Sequence, residues 1–374
     1  MIFFVMPDNL LHLSDAYAAE RVQTRQSKPN TPSPGIKLTT AAALKTDAKT
    51  GELALLTSIR SRSRLIGSSR VQLGIGDDCA LLRPRPGEEL AVTTDLSIEG
   101  RHFRLDWHPP ESVGHRTLAR GLSDLAAMGA RPMAAFLSLG LPRELTISQS
   151  GARSWVDRFL DGLLELAKQH RVPLTGGDLA ESPIALADIV LIGALPRGDA
   201  LLRSGARPGD AIYVTGGLGG AAAELGALGK SPEGFASATA STQTSPHLYP
   251  QPRIAQGIRL RKLASAAMDL SDGLSTDLVH ICEESRVAAE IDESAIPLGP
   301  GATLEMALHG GEDYELLFTA PASARIPRTI LGIPLTRIGQ IKPMIRRKPL
   351  VTLLSSTGAE PLLPHGWEHF SGDK

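Results

Sequence analysis

Acidic clusters recur along this chain of 374 residues: Gly74-Ile75-Gly76-Asp77-Asp78, Thr93-Thr94-Asp95, Leu122-Ser123-Asp124, Gly176-Gly177-Asp178 and Asp269-Leu270-Ser271-Asp272-Gly273. Each falls where a strand or helix is expected to end. Glycine, serine and threonine neighbours let backbone and hydroxyl groups approach an ion. Carboxylate oxygens are the hard ligands magnesium prefers, alongside water and phosphate. Together the clusters predict a dispersed magnesium-phosphate site. If the carboxylates converge a metal must hold them, since two unit charges about 4 Å apart repel by roughly 4 kcal/mol at an effective dielectric near 20.

Taken singly, every cluster also suits a turn or a helix cap, because Asp beside Gly or Ser favours both. Asp124 has a further alternative. Arg116 and Arg120 precede it at i, i+4 spacing, the pattern of a surface ion-pair ladder. The combination separates these readings: Asp-Asp after Gly-x-Gly, Thr-Thr-Asp after an apolar run and Ser-Asp-Gly before a helix share no single local habit.

The bulk composition narrows the partners. A formal net charge of −1 and 42% hydrophobic residues suit a soluble protein of about two domains. No long Lys/Arg run marks a nucleic-acid surface, so a small-molecule partner is expected and no nucleic acid. Cys79 and Cys282 stand far apart, with no Cys or His at metal-ligand spacing, which excludes a disulfide framework or zinc site and implies a reducing, cytoplasmic setting. Met1 to Met6 is apolar but short and lacks a basic flank, a poor signal peptide. Nothing approaches the roughly 18 apolar residues of a membrane span.

The elements that must position the acidic clusters follow from periodicity and punctuation. Residues 1–49, rich in Thr, Ser and Pro, are expected to form a disordered extension. An N-terminal domain over 50–198 carries a buried strand from Glu89 to Asp95, a helix from Ser112 to Met128 and a strand from Met133 to Leu139. A helix with Trp155, Phe159, Leu163 and Leu166 follows, then strands at Val172–Thr175 and Asp188–Leu195. A C-terminal domain over 199–374 begins after Arg197-Gly198-Asp199, with strand Ala211–Thr215. A mobile loop near 231–246 separates it from strand Ala267–Leu270, helix Thr276–Glu284, strand Val287–Ile291, helix Thr303–Leu308 and strand Tyr314–Thr319. Alternating helices and strands give an α/β (α+β) class.

Two nucleotide-binding patterns fail on spacing. Gly217-Leu218-Gly219-Gly220-Ala221-Ala222 follows a strand and opens a helix, as a dinucleotide fingerprint does. The acidic residue required about 20 residues on is replaced by the mobile loop. Gly226 to Ser231 approximates a P-loop, but Glu224 holds the place of the first glycine. Any nucleotide must be held another way.

At this level of detail the chain resembles the thiamine-monophosphate kinase family, within the ATP-binding superfamily that includes aminoimidazole ribonucleotide synthetase and selenophosphate synthetase. The resemblance runs from about Gly51 to Phe370. It is carried by Gly74–Leu82, Thr93–Phe103, Leu122–Ala130, Gly176–Asp178, Arg203–Asp210, His247–Arg253, Met268–Gly273 and Gly310–Leu316. It implies a two-domain synthetase-type kinase fold, a homodimer whose N-terminal strands form a barrel across the dimer, and ATP in a cleft. It further implies magnesium ions held by Asp78, Thr93, Thr94, Asp95, Asp124, Asp178, Asp269 and Asp272. ATP would contact Gly177, Asp178, Arg203 and Ser271, and thiamine monophosphate would contact His102, Glu312 and Trp367. An aromatic face at Trp367 suits stacking on a pyrimidine or a cationic thiazolium.

The implied reaction is in-line attack by an acceptor phosphate oxygen on the γ-phosphorus of ATP, with no covalent nucleophile. A phosphate monoester is already largely dianionic at neutral pH, so positioning and charge neutralisation are the task. Two alternatives stand beside it. Selenophosphate synthesis wants a reactive cysteine in an early glycine-rich loop, whereas Cys79 follows Asp-Asp. A non-catalytic nucleotide-binding protein is expected to have lost at least one carboxylate.

Overall fold

The computed structural model describes residues 52–64, 66–148, 151–230 and 245–366. The expected extension at 1–49, nearly all of the loop expected near 231–246, and Trp367 lie outside the described residues. Helix α1 (Glu52–Ser63) leads into a small hairpin of β1 (Val71–Leu73) and β2 (Leu81–Leu82), whose turn carries Asp77 and Asp78.

The N-terminal half is built on strands β3 (Glu88–Ile98), β4 (Arg131–Leu141), β5 (Leu174–Glu181) and β6 (Leu186–Pro196), lying in the order β3-β6-β4-β5. Only the β4–β5 pair is parallel. Helix α2 (Pro110–Ala127) packs on this sheet and against α3 (Trp155–Gln169). The apolar spacing of α2 puts Leu118, Leu122 and Leu125 wholly inside, while Pro110 opens it and Gly129 follows it at φ +68°. Ser154 caps α3, accepting from the Asp157 amide at 3.2 Å, and Phe159, Leu163 and Leu166 are fully buried.

Strand β3 departs from the expectation of a buried strand. Leu90, Val92 and Leu96 on one face are 45%, 64% and 45% exposed, because helices cover only the other face and β3 is an edge. Two clusters are also not at element ends. Thr93-Thr94-Asp95 sits within β3 and Gly176-Gly177-Asp178 within β5.

The C-terminal half runs β7 (Ala211–Thr215), α4 (Gly220–Lys230), α5 (Ile254–Leu260), β8 (Ala266–Asp269), α6 (Leu274–Ser285), β9 (Val287–Asp292), α7 (Leu304–His309), β10 (Leu316–Ala320), β11 (Thr329–Ile330), β12 (Ile333–Pro343), β13 (Val351–Ser355) and β14 (Gly358–Pro361). Its sheet follows the path β14-β13-β9-β12-β7-β10-β8, with β11 on β12. The strands after Ala320 lack a clean alternation in sequence: β12 carries Pro334, Arg337 and Gly339, with a register shift between Arg337 and Gly339. Neither sheet closes into a barrel among the described residues. One apolar cluster joins the halves, running from Leu118, Leu122 and Phe159 to Leu316 and Phe318. No helix among the described residues is long and apolar enough to cross a membrane.

Candidate active site

A cavity of about 610 Å3 lies where α2, the 100–108 loop, α4, the β8–α6 turn and the Gly310–Tyr314 turn meet. Asp95, Asp124, Asp269, Ser271 and Asp272 line one part of it, His102 and Glu312 another. Inward-facing Thr93 donates its hydroxyl to Asp124, and Ser123 donates to Asp269 Oδ2 at 2.6 Å. Asp95 Oδ1 is 3.5 Å from Arg120 Nη2. The other oxygen of Asp95, Oδ2, is buried without a hydrogen-bond partner.

The electrostatics of this acidic end are unfavourable as they stand. Burial, helped by the charges of Asp124 and Asp188 against Arg120, pushes the Asp95 carboxyl up to about 6. Burial and the charge of Asp269 push Asp124 up to about 6, against the Thr93 hydrogen bond and the charges of Arg203 and Arg120. Asp269 is raised by burial and by Asp95. These three acids feel one another through a poorly hydrated space. No group of three or more His, Cys, Asp or Glu side chains among the described residues forms a ready-made metal cage.

The β8–α6 turn is held by a residue that the sequence analysis did not single out. Asp277 Oδ2 accepts the successive amides of Ser271, Asp272 and Gly273, each at 3.1 Å. Its carboxyl is fully buried, and burial together with Asp269 and Asp272 raises it well above the usual range. The available signal was an acidic residue in the first turn of a helix directly after Ser-Asp-Gly.

The opposite end carries its own counter-charges. Buried Arg116 donates to Glu312 Oε1 at 2.7 Å, to the His102 carbonyl at 3.1 Å and to the His247 carbonyl at 2.9 Å. His247 Nδ1 lies 3.2 Å from Glu312 Oε2, and its Nε2 is 3.0 Å from His108 Nε2. Burial alone would raise the Glu312 carboxyl, but Arg116 and His247 outweigh it and hold the group well below the usual carboxylate range. His102 Nδ1 accepts from the Ile98 amide at 3.1 Å. The Glu312 backbone sits at φ +65°, and its amide donates to the Ser271 carbonyl at 2.8 Å. Gly311 makes that crossing possible, since a Cβ there would lie 2.4 Å from the Ser271 oxygen.

The alternative of a surface ladder of Arg116, Arg120 and Asp124 is therefore not the arrangement. Arg116 serves Glu312, Arg120 faces Asp95, and Asp124 binds Thr93.

Several expected site residues stand apart from the cavity. Thr94 points to the opposite sheet face and donates to Asp188 Oδ1 at 2.9 Å. Asp178 is exposed on that same face, in register with Ser138, which in turn pairs with Asp188. Gly177, at φ +148°, admits the close β4–β5 contact, where a Cβ would come 1.8 Å from the Leu137 carbonyl. Asp78 is exposed in the hairpin turn. Arg203 is exposed too, though its charge reaches Asp124 and Asp269. The amides of Gly219 and Ala221, where a dinucleotide phosphate would sit, are taken by Asp313 at 2.7 and 3.3 Å.

Comparison with known proteins decides the family. The sequence profile of the AIR synthase related protein, N-terminal domain, matches residues 76–196, and that of the corresponding C-terminal domain matches 207–343. The chain is 42% identical over 305 residues to the thiamine-monophosphate kinase of Escherichia coli (strain K12), covering 78% of this chain and 90% of that one. The chain belongs to the thiamine-monophosphate kinase family. The crystal structure of thiamine-monophosphate kinase from Stenotrophomonas maltophilia K279a is 39% identical and superposes with a TM-score of 0.70, covering 80% of this chain and 95% of that one. A second member of the family, AaThiL complexed with AMPPCP and TMP, is 31% identical with a TM-score of 0.65, over 89% of this chain and 100% of that one. The mixed α/β architecture in two halves is thus that of thiamine-monophosphate kinases.

Proposed function

We propose that this chain transfers the γ-phosphoryl group of ATP to thiamine monophosphate, yielding ADP and thiamine diphosphate in thiamine biosynthesis. The observation that carries this reading is the polarity of the cavity, with under-neutralised carboxylates at one end and the clamped, ionised Glu312 with His102 at the other. AaThiL, with its ATP analogue and TMP, is a relative of the same fold.

The chemistry needs little from side-chain acids and bases. An oxygen of the acceptor phosphate forms a bond to the γ-phosphorus as the bond to the bridging oxygen of ADP breaks. The acceptor enters largely as a dianion, its second pKa being near 6, so no proton need be removed first. Glu312, kept ionised by Arg116 and His247, is suited to the cationic thiazolium, and His102 stands beside it. Trp367 is proposed as the aromatic partner of the acceptor rings.

The all-oxygen donor set at the acidic end fits magnesium, and the buried Oδ2 of Asp95, which has no hydrogen-bond partner, supports that reading. Asp95, Asp124, Asp269 and Asp272 would hold such ions, with the hydroxyl of Thr93 beside them, whereas Asp78, Thr94 and Asp178 lie away from this cavity. Magnesium would neutralise the facing phosphates. ATP is assigned to Ser271 and to Arg203, whose charge reaches Asp124 and Asp269, whereas Gly177 and Asp178 lie away from this cavity. Ser271 owes its position to the Asp277 carboxylate.

A homodimer is part of the same reading. The uncovered face of β3, with Leu90, Val92 and Leu96, would complete a barrel with a second copy. Light scattering on the wild type and Val92→Lys tests this, with a dimer expected only for the wild type.

The activity is tested by incubating purified protein with ATP, magnesium and thiamine monophosphate and separating the products by chromatography. Thiamine diphosphate formed in equal amount with ADP is the expected result. ATP binding without conversion of thiamine monophosphate would refute the acceptor assignment.

A further inference from the structure

We infer that Arg120 is the residue that binds the phosphate of the acceptor. The inference rests on the reading above that the cavity takes thiamine monophosphate.

Arg116, Arg120 and Asp124 follow one another at i, i+4 and i+8 on α2, each about 6 Å further along the helix axis. The first holds Glu312 at the acceptor end. The last belongs to the carboxylate group. An acceptor whose organic part meets Glu312, and whose phosphate must reach the carboxylate end, passes its phosphate at the level between them. Arg120 lines the cavity at that level.

Its present contacts leave it available. The guanidinium is 3.5 Å from Asp95 Oδ1, 3.4 Å from Ser97 Oγ and 3.5 Å from the Leu96 carbonyl. Charge-assisted hydrogen bonds are typically shorter, about 2.7–2.9 Å. Arg116 and Arg253 reach their carboxylates at 2.7 and 2.5 Å. Arg120 is thus a loosely held cation, while the facing Asp95 keeps a buried oxygen without a partner. A phosphate satisfies the first and a cation at the carboxylates satisfies the second, so ligand entry replaces one long ion pair by two close ones. Among the described arginines lining the cavity, Arg101 and Arg104 are exposed, and Arg104 is engaged by Asp106 at 2.8 Å and by the Trp107 ring at 4.5 Å. A planar, permanently charged fork suits a phosphate.

The test is calorimetric titration of thiamine monophosphate and of unphosphorylated thiamine into wild type, Arg120→Gln and Arg120→Lys, with magnesium and AMPPCP present. Arg120→Gln should weaken thiamine monophosphate roughly ten- to a hundredfold, the effect of losing a hydrogen bond to a charged group, and leave thiamine unchanged. Arg120→Lys should recover part of the loss, and unchanged AMPPCP affinity in each variant verifies the fold. If Arg120→Gln leaves thiamine monophosphate unaffected, or weakens both ligands equally, Arg120 only neutralises Asp95 and the inference falls. A wild type that binds no thiamine monophosphate overturns the functional reading, and this inference with it.

Discussion

The two ends of the cavity treat their carboxylates in opposite ways. Glu312 is met by Arg116 at 2.7 Å and by His247 at 3.2 Å, and its acidity is increased. Asp95 faces a weakly engaged Arg120, Asp124 is met by the Thr93 hydroxyl, and burial pushes both up to about 6. The Glu312 end is assembled without a ligand, whereas the proposed magnesium and phosphate ligands would supply the charge that completes the acidic end. Recognition of an organic ring benefits from a fixed anion. A site for mobile ions and phosphates benefits from carboxylates that are not yet neutralised, at a cost to the stability of the empty fold.

The sharpest way to break this contrast is Asp95→Asn. It should lower kcat/KM for thiamine diphosphate formation by on the order of a thousandfold, comparable to loss of a preorganised charge-stabilising group. Retention of near wild-type rate would remove the acidic end from the mechanism.

Glu312→Ala probes the other end. Arg116, only 5% exposed, would lose its carboxylate at 2.7 Å, so urea denaturation should report about 3 kcal/mol less stability. A neutral result would mean that the clamp is not preassembled.

The smallest expected effect is a pH slope. The folded-state pKa of Asp95 is raised from 3.8 to about 6, so its stabilising contribution is present below about pH 4 and lost as pH rises through 6. The metal-free wild type should therefore lose about 2 kcal/mol relative to Asp95→Asn between pH 4 and 7. Magnesium at pH 7.5 should recover stability in the wild type more than in the variant. Parallel pH profiles for the two proteins would show that Asp95 is not under electrostatic stress.

Local signals explain why much of the fold was legible. The leucine stripe of α2, the apolar spacing of Phe159, Leu163 and Leu166 in α3 and the turn after Asp269 each depend on residues close in sequence. The strands from Thr329 to Pro361 escaped because proline, glycine and charged residues interrupt their alternation, and pairing to β9 and β7 compensates for it. Residue types gave the acidic candidates but not their sides. Thr93 and Thr94 are neighbours in sequence, yet strand geometry sends one to Asp124 and the other to Asp188 on the opposite face.

The sequence by itself determined the mixed α/β class and the family, because motif spacing and residue type are written along the chain. Only the tertiary structure decided which charges neutralise which. Arg116 and Arg120 look alike one turn apart on a helix. Packing of the Gly310–Tyr314 turn against the β8–α6 turn gives the first a tight partner, and the edge of β3 leaves the second a loose one. Charge pairing depends on distances between segments up to 196 positions apart, and no local pattern encodes those distances.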